Sequence, residues 1–213
     1  REMAFSDCDG LTSVTIGNGV TDIGEKAFYD CANLTNVVVG DIGGGSISIG
    51  SAAFANCNLT DITIGDGVKL IGSNAFGSQK SKNVHIFSLV SWCNISFENS
   101  SANPLYQSGN LYMNRELVTE LSIPSNVTQI NDYAFYNCAS INKVTISNNV
   151  ISIGNSAFYS CISLTDIKIP LSVKKIGDSA FGQCTGLINI IIQRGYENGK
   201  LLIHFGIRNR RTS

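Results

Sequence analysis

Histidine, proline and charge are all scarce in this chain. Its two histidines, His85 and His204, are the whole supply for imidazole chemistry. Neither has a second His, Cys or carboxylate at ligand spacing, so His85 is expected to be a surface side chain, with a metal ligand or hydrolytic base as the alternative. Charged residues are 15% of the 213, with a net charge of −1. That gives no overall basic excess to suggest nucleic acid. With 43% hydrophobic residues the composition is that of a folded protein rather than a disordered one. No apolar run approaches the roughly 18 residues needed to span a bilayer. No secretory leader is visible behind Arg1. Ala4, Phe5 and Cys8 match Ala27, Phe28 and Cys31, so the chain starts inside a repeat and is expected to be a piece of something longer.

Catalytic motifs are missing too. Asp22, Asp61, Glu120 and Asp166 are scattered, with no pairing that indicates acid/base work. Gly43-Gly44-Gly45 is followed by no GK[ST] and opens no helix, so it reads as a lengthened loop rather than a phosphate cradle. The seven cysteines form no CxxC pair, which weakens a zinc reading. Six of them, Cys8, Cys31, Cys57, Cys138, Cys161 and Cys184, each fall three residues after a phenylalanine; Cys93 alone is out of step. A cysteine used once per repeat behaves as a small buried hydrophobe in a ladder, with disulfides or metal binding as the alternative. The expectation is a chain with no catalytic, cofactor-binding or metal residues.

What is abundant is repetition. Phe5, Phe28, Phe54, Phe76, Phe135, Phe158 and Phe181 are spaced by 23, 26, 22, 59, 23 and 23 residues. The unit reads L-x-x-V-x-I-x-x-x-V-x-x-I-G-x-x-A-F-x-x-C-x-x, cleanest in Leu11–Asn33. Val14 and Ile16 alternate with Ser13 and Thr15, the period of a strand with one apolar face. Gly17-Asn18-Gly19 then makes a turn, with Pro124 and Pro170 at the equivalent of Gly17. Gly24 recurs as Gly50, Gly72, Gly154 and Gly177, with Asn131 in the fifth copy. Gly with Asn as its one substitute predicts a left-handed backbone there. Ala27, Phe28 and Cys31 fit one short helical or 3-10 turn. No single unit can bury its own apolar face, so the copies are expected to stack into a solenoid.

The pattern resembles the BspA-type, or Treponema pallidum-type, leucine-rich repeats, with IG-x-x-AF-x-x-C its specific portion. The strand here is followed by I-P or I-G instead of the Asn or Cys of general leucine-rich repeats. The resemblance implies an α/β repeat solenoid over residues 1–192: a right-handed array of ~23-residue units, a parallel strand sheet on one face and short helical turns opposite. A parallel β-helix is the alternative. At about 4.8 Å per strand the rod would be on the order of 40 Å long.

Residues 81–117 break the ruler. Leu89, Val90, Trp92 and Cys93 predict a short amphipathic helix, and Leu111–Val118 a hairpin. This stretch is either a projecting binding loop or an expanded repeat whose Trp92 and Tyr112 fill a wider turn, and the second is preferred. It also resembles an irregular repeat of the same family. Residues 193–213 carry Arg194, Lys200, Arg208, Arg210 and Arg211 against Glu197. Leu201, Leu202, Ile203 and Phe205 suit a terminal cap, preferred over a nucleic-acid or anionic-surface contact, with a partly disordered tail as a further alternative.

A partner would meet the outward strand positions. Arithmetic on the repeat nominates Asn36, Asp61, Thr63, Asn83, His85, Glu120, Lys143, Asp166 and Lys168, flanked by Ser13, Thr15, Val38, Ser122, Thr145, Asn189 and Ile191. The strip is small, polar and mixed in charge, and no aromatic anchor is expected on it. The resemblance implies a non-catalytic protein-binding module of a cell-surface or secreted protein, adhering to extracellular-matrix or cell-surface macromolecules. The alternative is a spacer array with no ligand of its own. Five N-x-[ST] sequons, at Asn33, Asn58, Asn94, Asn99 and Asn126, matter only in a secreted eukaryotic parent.

Overall fold

A computed structural model describes residues 1–77, 82–192, 195–197 and 200–202. The chain winds into a solenoid of about eight turns whose strands fall into two parallel lines. The first line holds β1 (Ser13–Ile16), β3 (Asn36–Val39), β5 (Asp61–Ile64), β7 (Asn83–Ile86) and β9 (Asn110–Met113), paired in that order. It resumes as β11 (Glu120–Ser122), β13 (Lys143–Thr145), β15 (Asp166–Ile169) and β17 (Asn189–Ile192). The second line joins β2 (Asp22–Ile23), β4 (Ile47–Ile49), β6 (Val68–Ile71) and β8 (Ser96–Phe97), then β12 (Gln129–Ile130), β14 (Ser152–Ile153) and β16 (Lys175–Ile176). Two strand lines per turn also keep the β-helix description compatible with this architecture.

Register follows from the alternating pattern. Val14, Val37, Ile62, Val84 and Leu111 stack inward, as do Leu121, Val144 and Ile167, while Ile190 in the same register is exposed. Shifting any strand by one residue would turn its polar set into the core. One continuous core runs the length of the rod. Phe5, Phe28, Phe54 and Phe76 stack ring on ring at 5.0 to 5.4 Å, and Phe135, Phe158 and Phe181 at 5.1 and 5.3 Å.

The Ala-Phe-Cys segments are not helical turns. In each of them the residue two before Phe and the residue two after it are left-handed: Lys26 and Asp30, Ala52 and Asn56, Ser156 and Ser160, with φ between 50° and 60°. Alternating backbone hands aim every second N–H along the rod. Lys26, Phe28 and Asp30 therefore donate to the carbonyls of Ser51, Ala53 and Ala55 in the next turn, at 2.7 to 3.0 Å. A left-handed non-glycine residue costs roughly 1–2 kcal/mol, and these inter-turn bonds offset it. Among the described residues the α-helix is α1 (Leu89–Cys93), in the irregular turn, as predicted.

The glycine position is corrected as well. Gly24, Gly50, Gly72, Gly154 and Gly177 do not have positive φ. Their constraint is proximity: a Cβ on Gly50 would lie 2.7 Å from Glu25 N and 2.8 Å from Gly24 C. Asn131 is allowed because the turn behind it is the irregular one. There Asn131 N donates to Cys93 O, and its Nδ2 donates to Ile95 O, each at 3.1 Å. Among the described residues the glycines with positive φ are Gly40, just before the lengthened loop, and Gly43, Gly44 and Gly45 within it, at 73° to 100°.

The irregular segment continues the coil instead of leaving it. Trp92 is buried, packs edge-on against Phe97, and donates from Nε1 to Ala134 O at 2.8 Å. Buried Asn103 donates to the carbonyls of Tyr133 and Ala134. The predicted hairpin is β9 paired antiparallel with β10 (Glu116–Leu117), and it ends the first sheet. Backbone strands β18 (Gly195–Glu197) and β19 (Lys200–Leu202) pair antiparallel. The side chains expected to cap the coil, in the tail, lie outside the described residues.

Candidate functional site

All seven cysteines are free thiols. Cys31, Cys57, Cys161 and Cys184 donate their S–H to the carbonyls of Phe5, Phe28, Phe135 and Phe158 in the preceding turn, at 3.0 to 3.2 Å. Burial pushes Cys57 up to about 12 and Cys184 to about 11. Cys93, also buried, is pushed up to about 12. Cys31, Cys57, Cys161 and Cys184 thus act as donors that hold turns together, the opposite of a nucleophile or metal ligand. Among the described residues no group of three or more His, Cys, Asp or Glu could hold a metal ion.

The nominated contact residues do share one surface. Asn36, Asp61 and Asn83 stand in register with Ser13 and Asn110, and Thr63 and His85 with Thr15, Val38 and Tyr112. On the second sheet Glu120, Lys143, Asp166 and Asn189 form one row, and Ser122, Thr145, Lys168 and Ile191 the other. Asn36, Glu120, Lys143, Asp166 and Lys168 are exposed; Asp61, Thr63, Asn83 and His85 are half-buried.

Much of this strip is bonded to itself. Lys143 Nζ meets Glu120 Oε2 at 3.3 Å, and Asn189 Nδ2 donates to Asp166 Oδ1 at 2.7 Å. Bonds from Asn189 and Thr165 hold the Asp166 carboxyl below its ordinary range. An exposed pair such as Lys143–Glu120 contributes little to stability.

One cluster departs from the ladder. His85 Nε2 lies 3.4 Å from Asp61 Oδ1, and Asn83 Nδ2 donates to the same oxygen at 3.2 Å. Partial burial pushes Asp61 up, but hydrogen bonds from Thr60, Asn83 and His85 outweigh it and hold the carboxyl below its usual value. The His85 ring stacks on Tyr112 with centroids 4.9 Å apart. Leu117, 44% exposed, is the cross-strand partner of Tyr112. The strip therefore carries an aromatic anchor after all. Asn110–Met113 (NLYM) repeats the alternation of Asn83–Ile86 (NVHI), and aligning the two would have placed Tyr112 beside His85. Elsewhere, the recess beside Trp92 has essentially no room even for a water molecule, against the several hundred Å³ of ordinary ligand pockets.

Comparison with known proteins identifies the repeat. Six copies of the model for the BspA type leucine rich repeat region match residues 1–111 and 107–200. Among curated proteins no relative matches. A leucine-rich repeat protein from Eubacterium ventriosum is similar at 24% identity and a TM-score of 0.49, over 87% of this chain and 61% of that one. One from Bacteroides ovatus is similar at 20% identity and a TM-score of 0.48, over 87% and 50%. The pneumococcal vaccine antigen PcpA is similar at 18% identity and a TM-score of 0.50, over 85% and 51%. The chain thus spans about half to three fifths of the length of these relatives. Among the described residues no helix is long and apolar enough to cross a membrane.

Proposed function

The chain belongs to the BspA-type leucine-rich repeat family, and from that premise we propose that it is a non-catalytic protein-binding module of a cell-surface or secreted protein. Repeat arrays of this family are generally non-catalytic and often bind proteins. The single observation carrying the site is the Asp61–His85–Tyr112–Leu117 cluster at the middle of the strand face. Binding energy concentrates in central, partly desolvated aromatic side chains, while the surrounding polar contacts exclude water. The expected partners are extracellular-matrix or cell-surface macromolecules, met by this face through an adhesive contact.

The test is binding of the purified chain to immobilised matrix proteins, each assayed singly. Tyr112→Ala should weaken the interaction by about 30-fold, the equivalent of ~2 kcal/mol. Charge reversal at Lys143 and Lys168 should alter its salt dependence. A well-folded chain that binds none of them, or binds equally well with Tyr112→Ala, contradicts the reading. The self-paired rows of the second sheet favour the other reading, a spacer with a solvated face. A spacer predicts no saturable binding at all.

A further inference from the structure

Asparagine is followed by glycine at Asn18-Gly19 and at Asn198-Gly199, and the second pair lies outside the described residues. In such a pair the glycine nitrogen can attack the carboxamide carbon, since no side chain stands in its way. Asn18 and Gly19 are the central residues of the turn after β1, closed by Val20 N donating to Gly17 O at 3.1 Å. Gly19 is exposed, and its N–H has no hydrogen-bond partner among the described residues. A Cβ on Gly17 or Gly19 would meet nothing within 4 Å, so the turn has room to move. Asn18 Oδ1 accepts from Asp41 N at 2.9 Å. That N–H is aimed at the oxygen on which negative charge develops as Gly19 N adds to Cγ, which makes it an oxyanion donor. Asn148 supplies the contrast. It holds the same place in the turn after β13, closed by Val150 N to Ser147 O at 3.2 Å. Its successor is Asn149, whose side chain crowds the attack and whose N–H donates to Ser147 Oγ at 3.4 Å.

The lengthened loop, residues 41–46, lies across Asn18. A Cβ on Gly40, at its entry, would be 3.2 Å from Asn18 Oδ1, and one on Gly45, near its exit, 3.4 Å from Asn18 O. Between these points Ile42 is 69% exposed, and Gly43, Gly44 and Gly45 all have positive φ. Among the described residues the bond from Asp41 N to Asn18 Oδ1 is the one that ties this loop to the turn before it.

We propose that Asn18 is a site of spontaneous deamidation and that its isoaspartyl product unclips the glycine loop. Gly19 N bonds to Asn18 Cγ, the Cγ–Nδ2 bond breaks, and ammonia leaves with the proton given up by Gly19. Water then opens the five-membered imide at either carbonyl. Opening at Cγ yields aspartate. Opening at the backbone carbonyl yields isoaspartate, in which the main chain runs through the former side chain and is one methylene longer. Aspartate keeps an oxygen for Asp41 N, and Asp41 and Asp66 occupy this position natively in the next two turns. Isoaspartate carries its free carboxylate on the α-carbon, away from Asp41 N, so that bond is lost. Asp66 N still donates to Asp41 O at 3.2 Å, which keeps the coil closed beneath the freed loop.

Ageing the purified, folded chain at mildly alkaline pH tests it, with peptide mass mapping, isoaspartyl methyltransferase labelling and limited thermolysin digestion as readouts. The Asn18 peptide should show the amide-to-acid mass gain about tenfold faster than the Asn148 peptide, and should take the methyl label. The aged chain should be cut before Ile42 faster than the fresh chain, with an unchanged circular dichroism spectrum. Gly19→Ala, whose methyl meets no neighbour, should fold normally and slow both changes. Asn18→Asp should leave the loop as protected as in the fresh chain. Three results would overturn the proposal: Asn18 converting no faster than Asn148, conversion unaffected by Gly19→Ala, or an aged, isoaspartate-bearing chain cut no faster than a fresh one. Release of the loop in Asn18→Asp would assign the effect to charge and refute the isoaspartyl step.

Discussion

Gly50→Ala decides what the glycine ladder is for. The added Cβ would sit 2.7 Å from Glu25 N, 2.8 Å from Gly24 C and 2.9 Å from Ile23 O, all backbone atoms that cannot swing away. Reaching an ordinary contact near 3.4 Å means moving the two turns apart locally by about 0.7 Å. Bonds now at 2.7 Å (Gly50 N to Ile23 O, Phe28 N to Ala53 O) and 3.0 Å (Lys26 N to Ser51 O) would stretch to the edge of hydrogen-bonding range. At about 1 kcal/mol for each weakened bond the loss is ~3 kcal/mol. The stiffer unfolded chain returns about 0.4–1 kcal/mol. Net destabilisation of roughly 2–3 kcal/mol should appear in urea unfolding followed by circular dichroism and by Trp92 emission. Gly50→Asn should cost at least as much as Gly50→Ala. If a left-handed backbone were the requirement, Asn would be the better tolerated of the two. That ranking, or a neutral Gly50→Ala, refutes the close-approach argument. Asn131→Gly is the internal control: it should lose only about 1 kcal/mol, from its bond to Ile95 O.

Three further outcomes follow from the packing. Phe135→Ala removes a fully buried ring stacked on Phe158 and should cost about 3–5 kcal/mol in the same unfolding assay. Trp92→Phe removes the indole bond to the Ala134 carbonyl, which keeps Asn103 as a donor, so the lost bond should cost about 1 kcal/mol. Alkaline pH should destabilise the fold. Thiols raised above the ordinary value of 9 bind their protons more tightly in the native state, so their contribution is complete below about pH 9 and is lost as pH rises through 11 to 12. Urea midpoints should fall across that window, and the fall should be shallower in Cys57→Ala.

The repeat was legible because each copy reports the same constraint. Val14, Val37 and Ile62 line up in register as the spacing predicts, and the cysteines are rungs in a ladder. The irregular segment was legible in parts: the helix at Leu89–Cys93 and the hairpin through Asn114 follow from local pattern. What misled was local reasoning about positions set by a neighbouring turn. Gly24 has an ordinary backbone sign, and its need for glycine comes from the backbone of Arg1 and Glu2 in the preceding turn. Lys26 and Asp30 are left-handed although nothing in their side chains demands it, because their N–H groups must reach Ser51 and Ala55. Tyr112 was passed over on the strand face because it belongs to a turn that lacks the repeat phenylalanine. Its pairing with His85 depends on β9 adding to β7 in parallel.

The irregular turn explains where the departures lie. Its buried parts reproduce what a regular turn supplies: Trp92 and Asn103 bond to the carbonyls of the turn that follows, and the Cys93 carbonyl receives Asn131 N. Its surface parts supply what a regular turn does not. Tyr106 opens the tyrosine stack on the phenylalanine side, and Tyr112 with Leu117 completes the cluster on the strand side. A ladder position copied in every turn is constrained by both neighbours, so a novel side chain there must suit two contacts at once. A turn that keeps the inter-turn bonds while abandoning the consensus is released from that condition. The strand-face surface proposed for contact with other molecules therefore depends on residues from 81–117. Replacing that stretch with a regular 23-residue turn should preserve the coil and abolish strand-face binding.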